Sequence, residues 1–140
     1  MAPMTEAAIQ EFLQEARHAI LATNRPAGPP QLTPVWYLYA DGVFYVSAQV
    51  DTVKVRNLRR DPAVSLCVDG GRGDERYVVV TGRAKLVEPG EPPQEEMRWR
   101  IIRHYSADEE SARRYYESVR DHAAALIVIT PERIISQDFS

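Results

Sequence analysis

Asp41-Gly42 stands between two β-rich runs, residues 31–39 (QLTPVWYLY) and 43–48 (VFYVSA). An Asp-Gly pair tolerates the positive φ angles of a two-residue turn, so it folds the runs back on each other as an antiparallel hairpin. The same alternation of extended run and brief turn recurs along the chain. Residues 18–23 (HAILAT), 63–69 (AVSLCVD), 76–88 (RYVVVTGRAKLVE), 125–130 (ALIVIT) and 133–139 (RIISQDF) are predominantly apolar or β-branched. A Pro- and Gly-bearing stretch at 24–30, a Gly-rich one at 70–74, and Pro131 divide them. Gly82 marks a bulge or bend in the longest run. The expectation is a mainly β fold of six to seven strands. Strands joined by short turns close more naturally as an antiparallel barrel than as a doubly wound sheet.

Helices flank these strands. Thr5 can cap a first helix whose apolar stripe is Ile9, Phe12, Leu13 and Ala16. A short helix follows the hairpin, capped by Asp51 or Thr52 and ended before Pro62. Residues 94–105 are predicted helical. Ser106-Ala107-Asp108-Glu109 has capping-box spacing and opens a further helix to about Val119. With no repeat, low-complexity tract or linker, residues 1–140 are expected to form a single domain.

Several chemistries are set aside. A formal net charge of −3 argues against general nucleic-acid binding. The apolar runs are shorter than the ~20 residues of a membrane helix, and no signal peptide is expected, so the expected location is the cytoplasm. His18, His104 and His122 lack zinc-ligand spacing. His18 starts a buried strand and can be a satisfied core residue, and Cys67 is expected to be a buried small hydrophobe. The glycines of residues 70–73 do not have dinucleotide-binding spacing. Trp99 and Tyr105 are expected to pack rather than form a lid.

The informative stretch runs from Ser47 to Asn57. A helix start presents free N–H groups and the positive end of its dipole, so it attracts anions. Lys54 in the first turn stands against that trend. An anion bound there would reconcile the two, meeting Lys54, loop N–H groups and the hydroxyls of Ser47 and Thr52. The other reading pairs Lys54 with a capping Asp51 at the surface. Upstream, Pro34-Val35-Trp36-Tyr37 is expected on the strand that pairs with the one ending at Ser47. Trp36 and Tyr37 alternate faces there, so one can line a ring pocket while the other fills the core.

These segments resemble the split-barrel flavin/deazaflavin oxidoreductases, the superfamily that includes pyridoxamine 5′-phosphate oxidase. The resemblance runs from the strand His18 to Thr23 through Gly28-Pro29-Pro30-Gln31-Leu32-Thr33-Pro34-Val35-Trp36-Tyr37, Phe44-Tyr45-Val46-Ser47, Lys54-Val55-Arg56-Asn57-Leu58-Arg59-Arg60-Asp61-Pro62 and Val80-Thr81-Gly82-Arg83-Ala84, ending in Ile129-Thr130-Pro131-Glu132-Arg133. The K-x-R-N-L-R-R-D-P stretch is the most specific and looks most like the coenzyme F-420-dependent branch. The resemblance implies a homodimeric split β-barrel whose cofactor sites are shared between chains. It implies a cofactor phosphate held by Ser47, Thr52, Lys54, Asn57 and Arg56, with the ring along Thr33, Pro34, Val35, Trp36 and Tyr37. Cations that pyridoxamine phosphate oxidases carry near this hairpin are missing here, which argues against that vitamin oxidase activity.

The implied function is an oxidoreductase that uses the deazaflavin coenzyme F-420 to transfer a hydride to or from a small organic substrate. The alternatives are an FMN-dependent oxidoreductase and a non-catalytic cofactor- or haem-binding split barrel. Arg56, Arg59 and Arg60 extend the basic surface beyond Lys54 and would suit the longer polyanionic tail of the deazaflavin.

Overall fold

The structure, a computed structural model, describes residues 2–140. Its elements are α1 (Glu6–Leu13), β1 (Ala19–Thr23), β2 (Gln31–Val35), β3 (Leu38–Ala40), β4 (Val43–Gln49), α2 (Val53–Arg60), β5 (Ala63–Asp69), β6 (Arg76–Val87), α3 (Gln94–Tyr105), α4 (Glu109–Val119) and β7 (Ala124–Asp138). All seven strands join one antiparallel sheet in the order β2-β1-β5-β6-β7-β4-β3. The curled sheet is a split barrel with β2 and β3 at its edges. Asp41 (φ 55°) and Gly42 (φ 78°) make the β3–β4 turn, as a two-residue hairpin requires.

Two expected boundaries fall differently. The run 31–39 breaks at Trp36-Tyr37: β2 pairs with β1, and β3 pairs with β4. Pro34 and Val35 therefore lie on the partner of β1, not on the partner of the strand ending at Ser47. Conversely, the last two expected strands are one, β7, which runs through Pro131. The register slips there: Gly82 faces Pro131 while Thr81 faces Arg133, leaving Glu132 as the extra residue of a bulge. A bulge tolerates a proline because one ladder N–H is already lost. An added Cβ on Gly82 would lie 2.1 Å from the Thr130 carbonyl oxygen, so close approach of the two strands excludes any side chain.

The inner face of the sheet buries Leu21, Phe44, Val46, Leu66, Val68, Val78, Val80, Ile127 and Ile129, capped by Phe12 and Leu13 of α1 and by Val55 and Leu58 of α2. Each such side chain contributes about 1.5–3 kcal/mol when removed from water. Thr5 caps α1, its hydroxyl accepting the Ala8 N–H at 3.1 Å. The helix ends at Leu13, so Ala16 lies beyond it, exposed, and does not extend the apolar stripe. Asp108, not Ser106, caps α4 by accepting the Ser111 N–H at 2.7 Å; the Ser106 hydroxyl instead donates to the Ile102 carbonyl.

On the outer face, α3 covers β4 and β7 through Met97 and Ile101 against Leu126, with Leu38, Tyr45 and Val128 around them. The rest of that face carries one registered row across five strands: Pro34, Ile20, Cys67, Val79 and Ile135. Ile20 is 38% and Ile135 46% exposed, and Leu32 beside the row is 62% exposed. Cys67 belongs to this face by strand parity and is half-buried, not a core residue. Burial, followed by the nearby Asp69, pushes its thiol up. His18 is likewise exposed, because Ala19, Leu21 and Thr23 take the inward positions of β1. No described helix is long and apolar enough to cross a membrane.

Candidate cofactor site

The break at Trp36-Tyr37 sends the two aromatic side chains apart. Tyr37 turns inward and is fully buried, its hydroxyl within 3.2 Å of the Leu13 carbonyl and 3.3 Å of the Glu15 carbonyl. Burial drives its phenol far above the ordinary range, so it stays neutral. Trp36 turns outward and stacks on Tyr105 of α3 with centroids 4.9 Å apart and planes 7° apart. Tyr115 of α4 lies 5.2 Å from it, tilted by 42°. The Tyr105 hydroxyl fixes the break itself. It accepts the Tyr37 N–H at 3.2 Å and donates to the Arg17 carbonyl at 2.8 Å. Trp99 packs edge-on against Tyr116, joining α3 to α4.

Beside Trp36 opens a cleft of about 640 Å³. That volume is in the range of small-molecule and cofactor sites. Of the residues expected at the site, Pro34, Val35, Trp36, Ser47, Thr52 and Lys54 line it together. Thr33, Tyr37, Arg56 and Asn57 do not. Thr33 sits inward on β2 opposite Leu21, with a buried hydroxyl that has no hydrogen-bond partner among the described residues. Asn57 is buried at the base of α2, donating to the Thr23 hydroxyl at 3.0 Å, and so ties the helix to β1. Arg56 donates to the Asp51 carbonyl at 2.8 Å and braces the loop before α2. Arg59 is paired with Glu88 at 2.5 and 2.8 Å, and Arg60 donates to the Asn24 carbonyl. None of these three arginines lines the cleft.

Lys54 is half-buried in the first turn of α2, where there is no acidic residue. Burial lowers its basicity, and among the described residues no ion pair joins it to Asp51, whose carbonyl instead accepts from Arg56. Thr52 occupies the N-cap position without capping. Its hydroxyl donates back to the Gln49 carbonyl at 2.7 Å, and among the described residues no N-cap side chain bonds the helix N–H groups. An unpaired, partly desolvated ammonium beside an uncapped helix start is an incomplete electrostatic arrangement that an anion completes. The residues present therefore fit a phosphate-bearing cofactor.

The remaining walls come from positions not expected at the site: His18, Ala48, Gln49 and Ala124 from the sheet and its connections, and Arg98, Ile101, Ile102, Tyr115 and Val119 from the α3–α4 pair. Gln49 is held by His122 at 3.1 Å. Arg98, Ile101 and Ile102 share a helix face by their spacing, but only the packed structure reveals what that face meets. Among the described residues no carboxylate lines the cleft, although Asp and Glu outnumber Lys and Arg by 20 to 17 in the chain.

A family model described as pyridoxamine 5′-phosphate oxidase matches residues 5–138. Among solved structures, a conserved hypothetical protein from Mycobacterium tuberculosis is 31% identical with a TM-score of 0.74, the alignment covering 96% of this chain and 85% of that one. An F-420 reductase is 22% identical with a TM-score of 0.69, covering 89% of this chain and 94% of its own. An FAD-binding protein from Mesorhizobium loti is 20% identical with a TM-score of 0.74, covering 99% and 98%. The last two share the fold. Since the family match spans nearly all of a chain folded as an antiparallel split barrel, the chain belongs to the pyridoxamine 5′-phosphate oxidase family of flavin-binding oxidoreductases.

Proposed function

We propose that the chain is an oxidoreductase that binds the deazaflavin coenzyme F-420 and exchanges a hydride with a small organic substrate. The observation that carries this reading is Lys54 at the uncapped start of α2, with no ion-pair partner and no carboxylate in its Trp36-lined cleft among the described residues. Lys54, Ser47 and Thr52 would hold the phosphate, and Pro34, Val35 and Trp36 would flank the ring. When bound, the cofactor supplies the hydride chemistry. The protein's residues bind it, orient it and exclude water. The F-420 reductase with the same fold is consistent with this choice.

FMN is the second reading, and one observation favours it. Arg56, Arg59 and Arg60 are engaged with Asp51, Glu88 and Asn24, so they do not extend a basic track for a long polyanionic tail. Equilibrium titration with F-420 and FMN side by side tests both. The reading expects saturable binding with F-420 the tighter ligand. Tighter FMN binding would select the second reading, and binding of neither would end both.

We also propose that two copies pair through the outer row of Pro34, Ile20, Cys67, Val79 and Ile135, and that each cleft is completed by the second chain. Pro34 belongs to both the row and the cleft, so the apolar face and the site are continuous. Sedimentation at micromolar concentration should give a dimer. A monomer would contradict the shared site.

A further inference from the structure

Lys54 is not the only cation of the cleft. Arg98, only 4% exposed, lines it from α3. A guanidinium has five N–H donors and never loses its charge, so an enclosed one demands acceptors. Among the described residues, Arg98 meets the Val119 carbonyl at the end of α4 and, at 3.5 Å, a carboxylate oxygen of Glu95. That carboxylate is half-exposed and already accepts the Tyr116 hydroxyl at 2.6 Å. The charge is thus only loosely compensated, and donors remain. Around it the wall is apolar and aromatic: Ile101, Ile102, Tyr115 and Val119 line the cleft, and Trp36 faces Tyr115. This is the usual composition of a ligand pocket, a hydrophobic lining with few placed polar groups that set specificity.

We propose that the α3–α4 wall is the substrate subsite and that Arg98 recognises an anionic group, so that the substrate class is a largely apolar, planar organic acid. Arg98 receives the carboxylate in the bidentate geometry that a guanidinium favours. Trp36 and Tyr115 take the flat apolar body, and Ile101, Ile102 and Val119 close around it. Assigning the acid to the substrate rests on the cofactor reading, which gives the Lys54 end to the phosphate.

The test is calorimetric titration of the full chain with 2-naphthoate and with its neutral isostere 2-naphthamide, each with and without saturating FMN. The wild type should bind the carboxylate at least tenfold more tightly than the amide. Arg98→Met should erase that preference, Arg98→Lys should keep part of it, and Lys54→Met should leave it intact. A role for Arg98 confined to tying α3 to α4 would lower stability without changing the ratio. If Arg98→Met does not fold, Tyr115→Glu answers the same question from a position 45% exposed in the fold. The lost aromatic contact should weaken both probes, and the new carboxylate should weaken naphthoate at least tenfold more than naphthamide. Equal affinity for the two probes, or a preference that follows Lys54 instead of Arg98, overturns the proposal. Failure of FMN and F-420 to bind, with the Arg98-dependent preference intact, would count against the cofactor reading and leave the anion subsite standing.

Discussion

Gly82→Ala is the most informative test of the barrel's construction. The new methyl would lie 2.1 Å from the Thr130 carbonyl oxygen and 3.0 Å from its carbon, both backbone atoms that no rotamer change can move. Reaching even 3.0 Å requires a retreat of roughly 0.9 Å in a close-packed strand pair. Overpacking of this kind costs about 1–3 kcal/mol, and each ladder hydrogen bond weakened by the shift adds about 1 kcal/mol. Alanine returns about 0.4–1 kcal/mol by restricting the unfolded chain. A net loss of about 2–4 kcal/mol follows, which lowers a urea midpoint by roughly 1–2 M at an ordinary denaturant slope. Gly28→Ala is the control: it has positive φ but open space around the added carbon, so its cost is backbone strain of about 1–2 kcal/mol less the same entropic return. Urea unfolding of both variants at one fixed protein concentration makes the comparison. A Gly82→Ala protein within about 0.5 kcal/mol of wild type, or no weaker than Gly28→Ala, would refute the close-approach account of the bulge.

Two further outcomes are expected. The Arg76 guanidinium, with Arg17 behind it, holds the Asp74 carboxyl down to about 2, against an ordinary value of 3.8. Because the folded value is the lower, the contribution is complete above about pH 4 and fades as pH falls towards 2. Asp74→Asn should therefore flatten the acid limb of stability in that window, as read by denaturation midpoints at stepped pH. Tyr105→Phe removes the partner of the Tyr37 N–H and of the Arg17 carbonyl but keeps the ring stacked on Trp36. It should cost about 1–3 kcal/mol with little change in tryptophan emission, whereas Tyr105→Leu should also increase quenching of Trp36 by acrylamide.

Local chemistry carries much of this fold in plain view. The Asp41-Gly42 turn, the strand Ala63–Asp69 and the helix Gln94–Tyr105 fall where turn residues and periodicity put them. What the sequence hides depends on distant partners. The break after Val35 is held by the Tyr105 hydroxyl, 68 residues away in the chain. The continuity of β7 through Pro131 depends on Gly82 opposite it. The site divides the same way. Lys54 and Thr52 are legible because a helix start is a local event with local electrostatics. Asn57 and Arg56 are polar residues of the same stretch, but contacts with Thr23 and Asp51 occupy them. Arg98 could not be read at all, because a helix face acquires its meaning only when α3 settles beside α4 and the sheet.

The central claim is that Lys54 neutralises the cofactor's phosphate, and cofactor affinity measured against pH for wild type and Lys54→Met tests it most directly. Loss of a charge-assisted contact worth about 1.5–3 kcal/mol should weaken binding roughly 10- to 150-fold at neutral pH. Burial lowers the free lysine's pKa from 10.5, and only the protonated form attracts the anion. Wild-type affinity should therefore decline as alkaline pH approaches that lowered value, a decline the variant should lack. Equal affinities at neutral pH, or the same alkaline decline in both proteins, would show that the anion sits elsewhere.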